Sequence, residues 1–217
     1  MRLKTLLFDF DGTLAPNLDL PGMRREVVAF TAAAGVPASA YHGRYIVEVI
    51  DAASAWLAEQ DAQQAAQYAK DAHDIILRIE LDAAAETDPF PGIDVYLQDL
   101  ANDGIRCGVV TRNCRQAVLA TFPDLLDYVE TLHARDDVTH LKPDPRHLQA
   151  ALDALDANPA SSAMVGDGGL DMQVGKSLGL HCVGVLSGSA DTETLRQHGA
   201  DLVLDHCLNF DPRRQIT

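Results

Sequence analysis

The sequence predicts a three-layer α/β/α sandwich around a central parallel sheet, with a small helical domain inserted near its start. Three observations predict it. Short apolar runs alternate with helical segments through most of the chain, the alternation stops between residues 17 and 88, and stiff turn chemistry closes the interruption.

The apolar runs are LKTLLFDF, IRCGVVT, VETLHA, SAMVG, HCVGVL and DLVL, each rich in Val, Leu or Ile and bounded by turn residues. Such runs read as strands buried on both faces. Between them, DPRHLQAALDAL and LDMQVGKSLG carry apolar residues at helical spacing. Crossovers between parallel strands are right-handed in nearly every case, so the strand C-termini line one edge of the sheet. Within the interruption, Met23, Val27, Phe30 and Ala34 form one helical stripe. A second runs through Ile46, Val49, Ile50, Ala53 and Leu57, and a third through Tyr68, Ala72, Ile75, Ile76 and Ile79. Three amphipathic helices are expected there. Pro37 separates the first two, and Asp88-Pro89-Phe90-Pro91-Gly92 ends the block. The expected division is therefore a core of residues 1–16 and 89–217 and a helical insertion of 17–88. The closing DPRRQIT reads as a frayed tail.

A composition of 47% hydrophobic and 23% charged residues is that of an ordinary globular protein. No apolar run approaches the roughly 18 residues of a membrane span. Acids interrupt the N-terminal MRLKTLLFDFDGTL, which reads as a strand rather than a signal peptide, and a cytoplasmic protein is expected. The formal net charge of −15 argues against nucleic acid and anionic membranes as partners. Any anionic substrate would need local cations to reverse that field. Cys107, Cys114, Cys182 and Cys207 show no C-x-x-C spacing and read as buried thiols of a reducing compartment, Cys114 as a packing residue at a helix start.

Chemistry gathers at the strand ends. Asp9 and Asp11 lie two apart at the end of the first run, and alternate residues of an extended strand point the same way. Gly12 then permits a sharp turn. Two carboxylates sharing a pocket need a cation or a shared proton, and one can serve as nucleophile or metal ligand while the other serves as acid. The plain reading of the same residues is an Asp-rich turn. Asp167 ends SAMVG and Asp171 falls on the next helix's first turn, a set of oxygens suited to Mg²⁺ or, more simply, a helix cap. Thr111, followed by Arg112 and Asn113, ends IRCGVVT at a helix opening, where it can cradle phosphate or act as N-cap. Lys142 is held between Leu141 and Pro143 in the loop after VETLHA. An ordinary loop lysine would be solvated.

In this order the signals resemble the haloacid-dehalogenase superfamily: DFDGTL at 9–14, Thr111 at a strand end, Lys142-Pro143, and GDGGLD at 166–171, with FPG at 90–92 on return from the insertion. The resemblance spans nearly the whole chain and points to its phosphoglycolate-phosphatase-like group. It implies a Rossmann-like catalytic core with a helical cap over residues 17–88, and a cytoplasmic monomer or homodimer acting on a small phosphorylated metabolite. It further implies that Asp9 attacks phosphorus and Asp11 protonates the leaving oxygen, then activates water. Mg²⁺ would be held by Asp9, the backbone carbonyl of Asp11, Asp167 and Asp171. Thr111, Arg112 and Lys142 would hold the phosphoryl group.

Departures from the pattern are Pro16-Asn17 after DGTL and Gly168 after Asp167. A dehalogenase would have no use for Asp11 or the Asp167/Asp171 pair. Sugar-phosphate mutases resemble the chain too, but place a His about a dozen residues past the nucleophile, where Pro21 stands here. A silent binding protein of the same fold would lose Asp11 or a metal ligand, and this chain keeps both. Within the insertion, His42 and Arg44 are candidate specificity residues, with a helix-start surface role the simpler reading, and His73 and Arg78 have no better claim.

Overall fold

A computed structural model describes residues 3–213 of the chain. The four final residues of the expected tail lie outside that range. Its described part is tied down: Arg213 pairs with Asp211 at 2.6 Å and with Asp103 at 3.0 Å.

The chain divides into two compact units, Met1–Leu18 with Ala84–Thr217, and Asp19–Ala83. The division opens at Asp19 rather than residue 17 because Asp19 is the N-cap of the first helix, its Oδ1 accepting from Gly22 N–H at 2.9 Å. On the return side, Phe90 N–H donates to the Leu14 carbonyl at 2.9 Å, which ties the segment after residue 84 to the strand exit.

The helical unit holds α1 (Leu20–Ala33), α2 (Ile46–Ala58) and most of α3 (Ala62–Ala84). The expected stripes are its interior: Met23 and Val27, then Val49, Ile50, Ala53 and Leu57, then Tyr68, Ala72 and Ile76 are buried. Thr31 donates to Val27 O and accepts from the Tyr68 hydroxyl at 2.6 Å, so a polar pair is satisfied inside an apolar seam. His42 and Arg44 are exposed on the connection between α1 and α2.

The other unit carries six strands among the described residues: β1 (Thr5–Phe8), β2 (Arg106–Val110), β3 (Thr131–His133), β4 (Ser162–Gly166), β5 (His181–Val185) and β6 (Leu202–Leu204). All the pairings are parallel, in the order β3-β2-β1-β4-β5-β6. Its helices are α4 (Ile93–Asn102), α5 (Arg115–Thr121), α6 (Leu125–Tyr128), α7 (Arg146–Ala154), α8 (Gly169–Ser177) and α9 (Thr192–Gln197). Successive residues of β1 face opposite layers. Leu6 and Phe8 pack with Leu97 and Leu100 of α4 and Val118 of α5, whereas Leu7 packs with Leu148 and Leu152 of α7 and Val174 of α8. This is the expected three-layer sandwich. Connections run outward in opposite directions from β1 and β4, so a crevice opens between their C-terminal ends, the place where open α/β sheets bind ligands. No helix among the described residues is long and apolar enough to cross a membrane.

Candidate active site

Asp9 continues the β1 ladder by one bond, its N–H donating to Val165 O at 2.9 Å. The chain then turns sharply, with the N–H groups of Thr13, Leu14 and Ala15 all directed at Phe10 O. Gly12 makes the turn possible. Its φ is +78°, and a Cβ there would stand 2.7 Å from the Asp167 carboxyl carbon. The absent side chain lets the end of β1 approach the end of β4.

Asp9, Asp167 and Asp171 converge, each offering a carboxylate oxygen within 4.8 Å of the others. Lys142 reaches into them from the loop before α7 and is buried, 2% exposed. Its ammonium stands 2.6 Å from Asp171 Oδ1, 3.0 Å from Asp9 Oδ1 and 2.9 Å from Val110 O. Three donors meet three acceptors. Lys142 thus cross-links two carboxylates to the end of β2. Burial alone would depress the ammonium, but Asp171 and Asp9 raise it to about 12. Burial, then Asp171, push the Asp9 carboxyl well above the usual range against the pull of Lys142. Burial and Asp171 likewise raise Asp167, opposed by donors from Ser189.

Asp171 also serves as a cap, its Oδ2 accepting from Gly168 N–H at 3.1 Å, so the structural and chemical readings of this residue coexist. Gly166 is required by packing, since a Cβ would lie 2.5 Å from the Asp171 carboxyl carbon.

Among the described residues, Asp11 is not one of the three converging carboxylates. Asp11's carboxylate belongs to a different contact, accepting from Asn113 Nδ2 at 3.1 and 3.2 Å. The cause is that β1 ends at Phe8, so the straight-strand geometry that would align Asp9 with Asp11 does not persist. Thr111 is buried, and its Oγ1 accepts from Asn113 N–H at 3.0 Å. It is not the helix cap: α5 opens at Arg115 with Cys114 as N-cap, the thiol sulfur accepting from Ala117 N–H at 3.4 Å. Arg112 donates to the Lys142 carbonyl, a contact to the backbone of the lysine loop.

Several supporting residues were not singled out from sequence. Ser189 donates to Asp167 Oδ2 through its N–H at 2.6 Å and its hydroxyl at 2.8 Å, and Ser187 donates to Gly12 O at 2.7 Å. Both follow the C-terminus of β5, and a small-polar run at that sheet edge was the available signal. His147, on α7, accepts from Lys142 N–H through Nδ1 at 3.1 Å, and its Nε2 lies 3.1 Å from His133 O. These bonds select the neutral ring with its proton on Nε2. Burial and the Lys142 charge agree, lowering it to about 3.

The haloacid dehalogenase-like hydrolase family profile matches residues 6–185. The chain belongs to the haloacid dehalogenase-like hydrolases. Among relatives of this hydrolase, "Pyrophosphatase PpaX" of Bacillus mycoides is 28% identical over 98% of this chain and 97% of its own. A solved haloacid dehalogenase-like hydrolase from Bacteroides fragilis superposes with a TM-score of 0.69 at 25% identity, covering 95% of this chain and 98% of that one. A β-phosphoglucomutase from Clostridium difficile reaches the same TM-score, 0.69, at 18% identity over 96% and 93% of the two chains, a likeness of fold.

Proposed function

We propose that this family phosphatase hydrolyses a small phosphorylated metabolite, with Mg²⁺, through a phosphoaspartyl intermediate on Asp9. The observation that carries the reading is the convergence of Asp9, Asp167 and Asp171 at the crevice between β1 and β4, with Lys142 paired to Asp9 and Asp171. Three carboxylates against one ammonium leave two negative charges uncompensated, the charge of one divalent cation. The donors are hard oxygens, and burial followed by repulsion from Asp171 raises the Asp9 and Asp167 carboxyls, a cost that a bound cation would relieve, so these residues fit Mg²⁺. Asp9, Asp167, Asp171 and the Asp11 carbonyl would hold the ion, which supplies charge stabilisation to the phosphoryl group.

In the first step an Asp9 oxygen bonds to phosphorus as the phosphorus–oxygen bond to the leaving group breaks, and Asp11 delivers its proton to the departing oxygen. In the second, Asp11, now ionised, takes a proton from water as the water oxygen bonds to phosphorus and Asp9 is released. Asp11 ends protonated, and one water is consumed. Lys142 favours the Asp9 carboxylate, and with a divalent cation bound the two charges together would hold Asp9 ionised for attack, while Thr111, with Asn113 N–H bonded to its Oγ1, retains a hydroxyl proton to offer phosphate. Arg112 supports the Lys142 loop in this reading and joins phosphate binding if its guanidinium swings inward.

The near full-length PpaX relatives support a small phosphate compound and place inorganic pyrophosphate first among substrates to try. The helical unit, Asp19–Ala83, is the proposed cap that sets selectivity, and the protein is proposed to act in the cytoplasm. A panel of pyrophosphate, phosphorylated metabolites and p-nitrophenyl phosphate, assayed with Mg²⁺, tests the function. Release of phosphate from at least one member is expected; none from any would overturn it.

A further inference from the structure

We propose that Asn113 is the positioning residue for Asp11, aiming its carboxyl for proton transfer to the leaving group. The inference rests on the acid–base assignment of Asp11 made above. Asn113 is buried, 5% exposed, and all its polar groups are engaged. Its N–H donates to Thr111 Oγ1 at 3.0 Å, its carbonyl accepts from Arg135 N–H at 2.9 Å, and its Oδ1 accepts from Cys114 N–H at 2.8 Å. A backbone N–H only donates, so the last bond identifies the oxygen end of the carboxamide and leaves the NH₂ end facing Asp11. Nδ2 then lies 3.1 and 3.2 Å from the two Asp11 oxygens. Turning the amide over would break the Cys114 bond and set an oxygen against a carboxylate.

The chemistry of an amide suits this task better than a cation would. A Lys or Arg would hold the carboxylate more strongly, but it would favour the anion and weaken Asp11 as an acid. A neutral NH₂ orients the group with a smaller bias. Because the amide nitrogen donates and does not accept, and lies 3.1 and 3.2 Å from the two oxygens, the O–H of a protonated Asp11 must point away from Nδ2 whichever oxygen carries it. The direction in which the proton is offered is thereby set by a side chain that cannot itself rotate freely. Anchored to Thr111 on one side and Cys114 on the other, Asn113 couples the proposed phosphate-binding threonine to the proposed acid.

A leaving-group series separates this role from a merely structural one. The value of kcat/KM reports phosphoryl transfer to Asp9, and only poor leaving groups need protonation in that step. Esters from alkyl phosphates to p-nitrophenyl phosphate would be measured for the parent, Asp11→Asn, Asn113→Ala and Asn113→Asp. The last keeps an acceptor for Cys114 N–H while removing the donor, so it serves if the alanine variant misfolds. Expected for the Asn113 variants is a loss of roughly 10–10²-fold on alkyl phosphates, as for a misplaced catalytic group. The loss should shrink toward p-nitrophenyl phosphate, and Asn113→Ala should add little in an Asp11→Asn background. An equal loss on every ester, with the trend present in Asp11→Asn, overturns the inference alone. No trend in Asp11→Asn overturns the acid–base assignment beneath it.

Discussion

Asp9 and Asp11 share a strand end and a residue type, and the fold surrounds them with opposite chemistry. Asp9 meets two further carboxylates and an ammonium, and its proton affinity is set by burial and by charge. Asp11 meets a neutral amide, whose contribution is direction. In the proposed mechanism this difference suits Asp9, beside the charges that would include a cation, to attack on phosphorus, and suits Asp11 to giving up and taking back a proton.

The largest expected effect comes from removing the charge that Asp9 needs. Excess EDTA should abolish turnover and Mg²⁺ should restore it; full activity in chelator would dissolve the contrast between a charge-controlled and an amide-controlled acid. Asp9→Asn should be equally silent, because an amide cannot form the intermediate.

Lys142→Met should come next. It leaves Asp9 and Asp171 without the ammonium at 3.0 and 2.6 Å, and breaking a buried pair in this way destabilises by about 3–5 kcal/mol. Urea unfolding of the metal-free protein should show that loss, and Mg²⁺ should recover part of it. An unchanged midpoint would mean that Lys142 does not neutralise the cluster.

On the other side of the comparison, Asp11→Asn should fold, bind metal through its backbone carbonyl, and lose roughly 10²–10⁴ in rate. Loss of metal binding instead would place the Asp11 side chain with the cluster after all.

The smallest effect concerns His147, one step behind Lys142. Its native pKa, about 3, lies below the usual value for an unfolded histidine, near 6.5. Between those values the unfolded chain binds the extra proton, so this contribution is intact above about pH 6.5 and falls as pH drops toward 3. The slope is about 1.4 kcal/mol per pH unit for one such group. His147→Asn, which keeps an acceptor near Lys142 N–H, should flatten the acid limb of a stability–pH curve while leaving most activity. An unaltered limb would show that the neutral ring is not needed.

How much of this was legible in the sequence follows from what each feature depends on. The six strands were readable because parallel strands buried on both faces are apolar runs, and the helical unit was readable because its stripes keep the helical period at Met23–Val27 and Val49–Ala53–Leu57. That Asp9 and Asp167 leave neighbouring strand ends was readable from their position, and the structure brings them together with Asp171 and with Lys142 of the loop before α7. What escaped was orientation. β1 ends at Phe8, before either acid, and alternation along a strand carries no information past the point where the strand stops, so the contact of the Asp11 carboxylate with Asn113 could not be read from it. Asn113, Ser189 and His147 escaped because their partners lie far along the chain or in backbone groups, and side chain-to-backbone bonds leave no periodic trace. The domain division shifted toward the helical ends for a local reason, the Asp19 cap.

The central claim is that phosphate passes through Asp9. Rapid mixing with a hydrolysed substrate and Mg²⁺, followed by acid quench, borohydride reduction and peptide mass spectrometry, tests it most directly. The account predicts reduction of the acyl phosphate at Asp9 alone, appearing only with substrate and absent in Asp9→Asn. Modification at another residue, or rapid turnover with Asp9 never modified, would contradict it.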